Sequence, residues 1–266
     1  MSKDFSTEKV SVIIPTRHRL RLLQRAINSV CAQDYPNIEI VVFDNFSNEP
    51  ILAEELISSV PLIVVRSKQM EPLPVSRNRG VEAASGSLLA FLDDDDEFLP
   101  GRIGEQVDAL AKSPCSVLAY GNTEQRLADG SVIIGSGPPD LHHYLRWRHI
   151  QSTAFTIRRD CFENSPFDPR MTTYEDVHFI GRILRNHEAT HVDQTHSIWY
   201  RDDRPDQLTN SNWRRAYLNW QRLCVEFDHE IGSSKQLRRF YHGKMLLLAA
   251  RYADFRQVWD SAGRLL

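Results

Sequence analysis

Four consecutive aspartates, Asp93, Asp94, Asp95 and Asp96, follow the apolar run Leu88–Leu92 without a break. Adjacent carboxylates repel one another, so such a run calls for a cation or a set of hydrogen-bond donors. Hard oxygen ligands favour Mg²⁺ or Mn²⁺, and Mg²⁺ commonly shares its coordination with substrate phosphates. The apolar run reads as a buried parallel strand covered on both faces. Ligands of open α/β sheets sit at the carboxyl ends of such strands. The residues therefore point to a metal–diphosphate site. The plain alternative is a solvated acidic turn.

Other polar residues stand at comparable places. Pro15 and Thr16 close the β-branched run Val10–Ile14, where a backbone can approach a nucleoside or simply turn into a helix. Asp44 ends the run Ile38–Phe43, where its carboxylate can accept hydrogen bonds from a ligand or close an Asx turn. Arg77 precedes the acidic strand, and its guanidinium suits a base carbonyl or phosphate, or a salt bridge to the aspartates. Glu175 and Asp176 open an apolar-periodic stretch, where acids also complement a helix dipole.

The elements that must position these groups can be read from periodicity. Strands are expected at Val10–Ile14, Ile38–Phe43, Leu62–Val65 and Leu88–Leu92, with helices over Leu22–Val30 and Val75–Ala84 and a short one over Glu54–Ser59. Four strands with intervening helices in about ninety residues describe a parallel nucleotide-binding half, roughly residues 9–100. A second half, roughly 101–211, follows, which the resemblance given below makes the acceptor half: a helix through Ile103, Val107 and Leu110, a strand at Val117–Tyr120, and a hairpin turn at Asp129-Gly130. Further strands are expected at Ser152–Ile157 and Ser197–Arg201, around a helix from about Thr173. From Trp213 onward the pattern is helical, so residues 212–266 read as a helical C-terminal extension of the domain 1–211.

Composition bounds the function. The 266 residues are 41% hydrophobic and 25% charged, ordinary for a globular protein. A net charge of −3 argues against a nucleic-acid binder. Residues 212–266 carry ten Lys or Arg against five Asp or Glu, +5, leaving −8 for the rest. Cys31, Cys115, Cys161 and Cys224 form no CxxC pair and read as buried free thiols in a reducing compartment. The absence of a signal-type segment or a spanning apolar run suggests a cytoplasmic chain. No GxGxxG or P-loop lysine occurs, which argues against a common dinucleotide or Walker site.

VSVIIPT, VVFDN, SRNRGVEAASGSLLAFLDDDD and the YED before a helix occur in an order and spacing that resembles family 2 glycosyltransferases, over residues 9–203. The resemblance implies a GT-A fold and inverting transfer from a nucleotide-diphospho-sugar, with a UDP-sugar the expected donor. The acceptor it implies is a glycan or lipid-linked sugar. The implied donor set is Pro15, Thr16, Arg17, Asp44, Arg77, Asn78, Asp93 and Asp94, with loop support as the other use of Asn78. Asp95 is the implied ligand of Mn²⁺ or Mg²⁺, in an aspartate run whose register is ambiguous by one residue. Asp96 is expected to cap the next segment. Asp176 is the implied general base and Glu175 its acceptor-side neighbour.

One departure stands out. Many relatives carry a YRxH-like segment; here Tyr200, Arg201, Asp202, Asp203 and Arg204 hold no histidine, and His196 is out of register. Arg201 or Arg204 then takes the diphosphate. The departure leaves room for a non-catalytic sugar-binding module of the same fold. A sugar-1-phosphate nucleotidyltransferase is disfavoured, because TRHRLR lacks glycine. His142 and His143 have no ligand spacing. In the tail, Trp213, Tyr217 and Trp220 fall on one helical face ringed by Arg214, Arg215 and Arg222. That face packs on the domain, forms a homodimer contact, or lies peripherally on an anionic membrane.

Overall fold

The computed structural model describes residues 8–201 and 213–252. Its first half is β1 (Val10–Thr16), α1 (Leu20–Cys31), β2 (Ile38–Asp44), β3 (Leu62–Arg66), α2 (Leu73–Ala83), β4 (Leu88–Phe91) and β5 (Glu97–Phe98). The second half continues with α3 (Arg102–Lys112), β6 (Ser116–Leu127), β7 (Val132–Gly135), α4 (Leu141–Trp147), β8 (Phe155–Arg158), α5 (Arg159–Asn164), α6 (Glu175–Asn186) and β9 (Glu188–Arg201). Three helices follow: α7 (Trp213–Glu226), α8 (Asp228–Ser233) and α9 (Lys235–Tyr252).

The strands form one sheet in the order β3-β2-β1-β4-β8-β6-β9-β5, with β7 on β6. The first four are parallel, as the β-branched runs suggest, but β8 pairs antiparallel with both β4 and β6. The sheet is therefore mixed, and β4 lies between a parallel and an antiparallel neighbour. Alternation splits the core. Val10, Val12, Ile14, Val42 and Ala90 face α1 and α3, whereas Ile13, Val41, Leu89 and Phe91 face α2, α6 and the C-terminal helices.

Several expected elements differ in extent. Glu54–Ser59 reduces to a 3₁₀ turn at Ala53–Glu55. Ser152–Ala154 is a 3₁₀ turn before β8, and the strand expected at Ser197–Arg201 is the end of the 14-residue β9. The Asp129-Gly130 turn joins β6 to β7, with Gly130 at φ 82°. Helices α4 and α5 carried no clear periodic signal, being seven and six residues long. Of the four thiols read as buried, Cys161 is buried, Cys31 and Cys224 are half-buried and Cys115 is exposed.

The C-terminal helices share the second core. Tyr217 and Trp220 are fully buried, Trp220 stacks on Tyr241, and Leu223, Phe227, Ile231, Leu237 and Met245 extend the same cluster. Trp213 remains 44% exposed. Two of the three aromatics on the predicted face thus pack on the domain and are closed to any other surface. Phe227 reaches α6 because position 181 is glycine: a Cβ there would meet the Phe227 ring at 2.5 Å. Beside it, Arg185 of α6 binds Glu230 at 2.8 Å and Glu226 at 3.0 Å.

This contact gives a stability test. Gly181→Ala is expected to lower unfolding free energy by roughly 1–3 kcal/mol through overpacking. Gly243→Ala, in α9 with open space around its Cβ, is expected to raise it by up to about 1 kcal/mol through helix propensity. Urea denaturation of the two variants measures both signs.

Candidate active site

Register brings the polar groups together. Thr16 pairs with Asp44 and Asp44 with Arg66, so β1, β2 and β3 end level. Leu92 donates its N–H to the Ile13 carbonyl, which carries the aspartates past Ile14 to the end of β1. There the chain keeps a two-residue alternation. Asp94 and Asp96 are 5% and 2% exposed, whereas Asp93 and Asp95 are half-buried and face outward.

The two inward carboxylates are committed. Asp94 accepts from the Thr16 hydroxyl at 2.7 Å and from Arg19 Nη1 at 3.0 Å. Burial outweighs these donors and pushes its carboxyl up to about 6. Asp96 accepts the Tyr200 N–H at 3.1 Å, so it ties the run to β9 instead of capping the next segment. Burial and the neighbouring Asp93 and Asp95 raise its pKa well above the usual range. Arg19 also reaches Asp95 Oδ2 at 3.1 Å.

Arg77 joins the two halves. Its guanidinium, 1% exposed, donates to Asp93 at 2.6 Å, to Glu175 at 2.8 Å and to the Ser152 hydroxyl at 3.1 Å. Burial opposes the charge, but the two carboxylates hold it on. Arg77 is thus a buried bridge, as the salt-bridge reading expects, and Glu175 is held by it. Next to Glu175, half-buried Asp176 accepts the Val177 N–H at 2.7 Å. Burial first, then the Glu175 charge, push its carboxyl up to about 7.

Helix α6 starts from an unusual residue. Tyr174 has φ 59°, a left-handed conformation costly for an aromatic side chain. Its ring lies edge-on to Trp220 at 5.2 Å, and Lys244 Nζ sits 4.4 Å from it and 4.1 Å from the Trp220 ring. The C-terminal helices therefore hold the residue that aims Glu175 and Asp176. Burial, then the Arg148 charge, lower the Lys244 ammonium to about 7. Arg148 also favours ionised Asp176.

Several predicted donor residues turn inward. Asp44 is fully buried and accepts the N–H groups of Ser47 at 2.9 Å and Ile51 at 3.4 Å, with Arg66 at 3.4 Å. It is the Asx-type turn residue, and its carboxylate is closed to a nucleobase. Asn78 exchanges hydrogen bonds with the Phe167 backbone, 2.8 and 3.2 Å, and supports that loop. Pro15 and Thr16 are buried, while Arg17 is exposed beside them. Arg201, exposed at the end of β9, covers the Trp199 ring at 5.0 Å. Arg204 lies outside the described residues. His196 is buried between Glu105 and Gln106, each at 3.0 Å, away from this cluster.

The sequence reading missed Arg19, Ser152, Arg148 and Lys244. Arg19 had a signal, being one of the basic residues directly after the first strand. Lys244 had only its isolation in an apolar stretch. Asp93 and Asp95 supply outward hard oxygens suited to a divalent cation shared with a diphosphate, since Mg²⁺ commonly uses one or two carboxylates. Among the described residues no three acidic, His or Cys groups cluster as an all-protein metal cage.

A mixed sheet whose parallel half ends in acids, with a second acid pair at the start of a facing helix, has the layout of an α/β enzyme with its site at the strand ends. The chain belongs to glycosyl transferase family 2, whose model matches residues 11–242. It is similar to the GalNAc(5)-diNAcBac-PP-undecaprenol beta-1,3-glucosyltransferase of Campylobacter jejuni, 24% identical over 85% of this chain and 76% of that one. It is also similar to the UDP-Glc:alpha-D-GlcNAc-diphosphoundecaprenol beta-1,3-glucosyltransferase WfgD of Escherichia coli, 24% identical over 69% of this chain and 72% of the relative. The structure of S. aureus TarS 1-349 in complex with UDP-GlcNAc superposes with a TM-score of 0.72 at 18% identity, covering 97% of this chain and 80% of that one. This likeness shows the GT-A fold. The chain spans 43% of the longer TarS chain.

The buried bridge carries a prediction. Arg77→Met leaves Asp93 and Glu175 without their shared partner and is expected to cost roughly 3–5 kcal/mol. Arg17→Met, at the exposed neighbour, is expected to stay within about 0.5 kcal/mol. Equilibrium unfolding in urea compares them.

Proposed function

We propose that this chain moves a hexose from a UDP-sugar to a hydroxyl of a lipid-linked glycan, with inversion at the anomeric carbon. The observation that carries the reading is Asp176, a carboxyl near pKa 7 beside Glu175, which Arg77 ties to the donor-side Asp93. A general base works best when its pKa lies near the operating pH. As the acceptor oxygen attacks the anomeric carbon, its proton passes to the Asp176 carboxylate. The bond from that carbon to the diphosphate breaks, and UDP leaves from the opposite face.

Asp95, with Asp93 beside it, would hold Mn²⁺ or Mg²⁺, which supplies charge to neutralise the leaving diphosphate. Arg201 stands on the strand that binds Asp96 and is suited to the same phosphates; Arg204 is kept as its companion. The base is left to the main chain at Thr16 and to Phe46, a 44% exposed ring just beyond β2. The two relatives named for diphosphoundecaprenol-type acceptors support the acceptor class, and the TarS complex with UDP-GlcNAc supports the donor class. Among the described residues no helix is long and apolar enough to cross a membrane. A lipid-linked acceptor would be met by peripheral contact at the cytoplasmic face.

The base assignment predicts a pH profile. kcat/KM for UDP-glucose and a lipid-linked acceptor is expected to fall tenfold per unit below pH about 7, as Asp176 takes up a proton. Asp176→Asn is expected to lower kcat by roughly 10²–10⁴ and to leave UDP-glucose affinity within twofold. Because the folded pKa is raised, the stability from this group is present below pH about 4 and lost as pH rises through about 7. Asp176→Asn should therefore flatten the decline in melting temperature from pH 5 to 8. A collapse of donor affinity with kcat intact would make Asp176 a binding residue.

The metal assignment is separable. Asp95→Ala is expected to abolish the Mn²⁺-dependent part of UDP-glucose binding, read as the melting shift with and without Mn²⁺. An unchanged Mn²⁺-dependent shift would remove Asp95 from the metal site.

A further inference from the structure

An open cavity of about 320 Å³ lies between the loop before α6 and the first two turns of α7. It is lined by Arg170, Arg214, Arg215 and Arg222, with Thr172 and Asn219. No acidic side chain lines it among the described residues. Arg170 is set by Asp168, whose carboxyl its hydrogen bonds hold down at about 2. Arg222 is oriented by the Arg170 carbonyl at 3.3 Å and by Asn219 Oδ1 at 2.9 Å. Four guanidinium groups surround one small concavity, Arg170 with Asp168 as its ion-pair partner, and their planar forks match phosphate oxygens.

The cavity is coupled to the candidate active site. Buried Asn219 donates to the hydroxyls of Thr172 at 3.2 Å and Thr173 at 3.0 Å, just ahead of Tyr174 and the acid pair. Thr172 precedes Asp176 by four residues, so the two lie at most roughly 14 Å apart along the chain. A short glycan spans that gap. The cavity lies on the Asp176 side of the Arg77 bridge, and so on the acceptor side.

We infer that this arginine-lined cavity binds the diphosphate that joins the acceptor sugar to its lipid, with the glycan running from it to Asp176. The inference rests on the lipid-linked acceptor reading above. It assigns part of the tail's positive charge to substrate recognition. Both remaining functions of α7, packing by Tyr217 and Trp220 and anion binding by its opposite face, are then served by one amphipathic helix.

The test compares two acceptors in detergent micelles: N-acetylglucosaminyl-diphospho-undecane and the neutral undecyl glycoside of the same sugar. Arg214→Gln/Arg215→Gln, two changes at exposed positions, is expected to raise KM for the diphosphate acceptor tenfold or more. KM for UDP-glucose, kcat at saturation and KM for the neutral acceptor should stay within twofold. Arg222→Gln should act in the same direction. Equal effects on both acceptors, or none on the diphosphate acceptor, would overturn the inference. Loss only of binding to phosphatidylglycerol vesicles, with micellar KM unchanged, would also overturn it and assign the arginines to membrane headgroups. If neither acceptor is glycosylated, the acceptor reading fails by itself. Calorimetry with inorganic diphosphate, at saturating UDP, then decides the cavity: binding weakened tenfold or more by the double variant supports it, and unchanged or absent binding refutes it.

Discussion

A single buried guanidinium holds the two chemical halves of this enzyme in register. Arg77 comes from α2, between β3 and β4, and reaches both Asp93 after β4 and Glu175 at the start of α6. Taking an arginine and two carboxylates out of water is costly, and the cost is met only while all three remain together. The distance between Asp93 and Glu175 is therefore set by a charge cluster whose disruption leaves an unpaired buried ion. Catalysis by proximity needs such a fixed distance, since small displacements of a base reduce turnover steeply.

The same cluster separates the carboxyl groups by environment. Glu175 is ion-paired with Arg77, whereas Asp176, one residue on, has burial and the Glu175 charge against its ionisation. Two adjacent acids thus acquire different properties, the usual way a site obtains a base that works near neutrality. In the aspartate run a similar division follows from strand alternation. Asp94 and Asp96 turn in to fasten β1 and β9, and Asp93 and Asp95 turn out. Four neighbouring carboxyls are tolerable because burial raises the pKa of Asp94 and Asp96, Arg77 pairs with Asp93, and Arg19 serves Asp94 and Asp95.

The C-terminal helices belong to this argument as well. Trp220 and Lys244 pack on Tyr174, whose left-handed backbone starts α6 and aims its first two acids. A strained residue persists where its surroundings over-determine it. Helices α7–α9 are part of the fold: their apolar face closes the core over α6, with Phe227 against Gly181, and Arg214, Arg215 and Arg222 of α7 line one cavity with Arg170.

Much of this was legible in order along the chain. The β-branched runs ending in polar residues specified β1 to β4, and the periodic stretch after Tyr174 specified α6, because strand and helix periods are local properties. The family followed from four short motifs in sequence. What local pattern left open was direction and partnership. Asp44 and Asp93 both end apolar strands, yet Asp44 is sealed in a turn and Asp93 reaches Arg77. The antiparallel insertion of β8 beside β4 joins segments far apart in the chain. The inward turn of Asp94 onto Thr16, and the Arg77 bridge to Glu175 and Ser152, depend on residues 75 to 98 positions away. A side chain's type and spacing state what it can bind; which partner it finds is decided by contacts between distant segments, and those exist only once the sheet has closed.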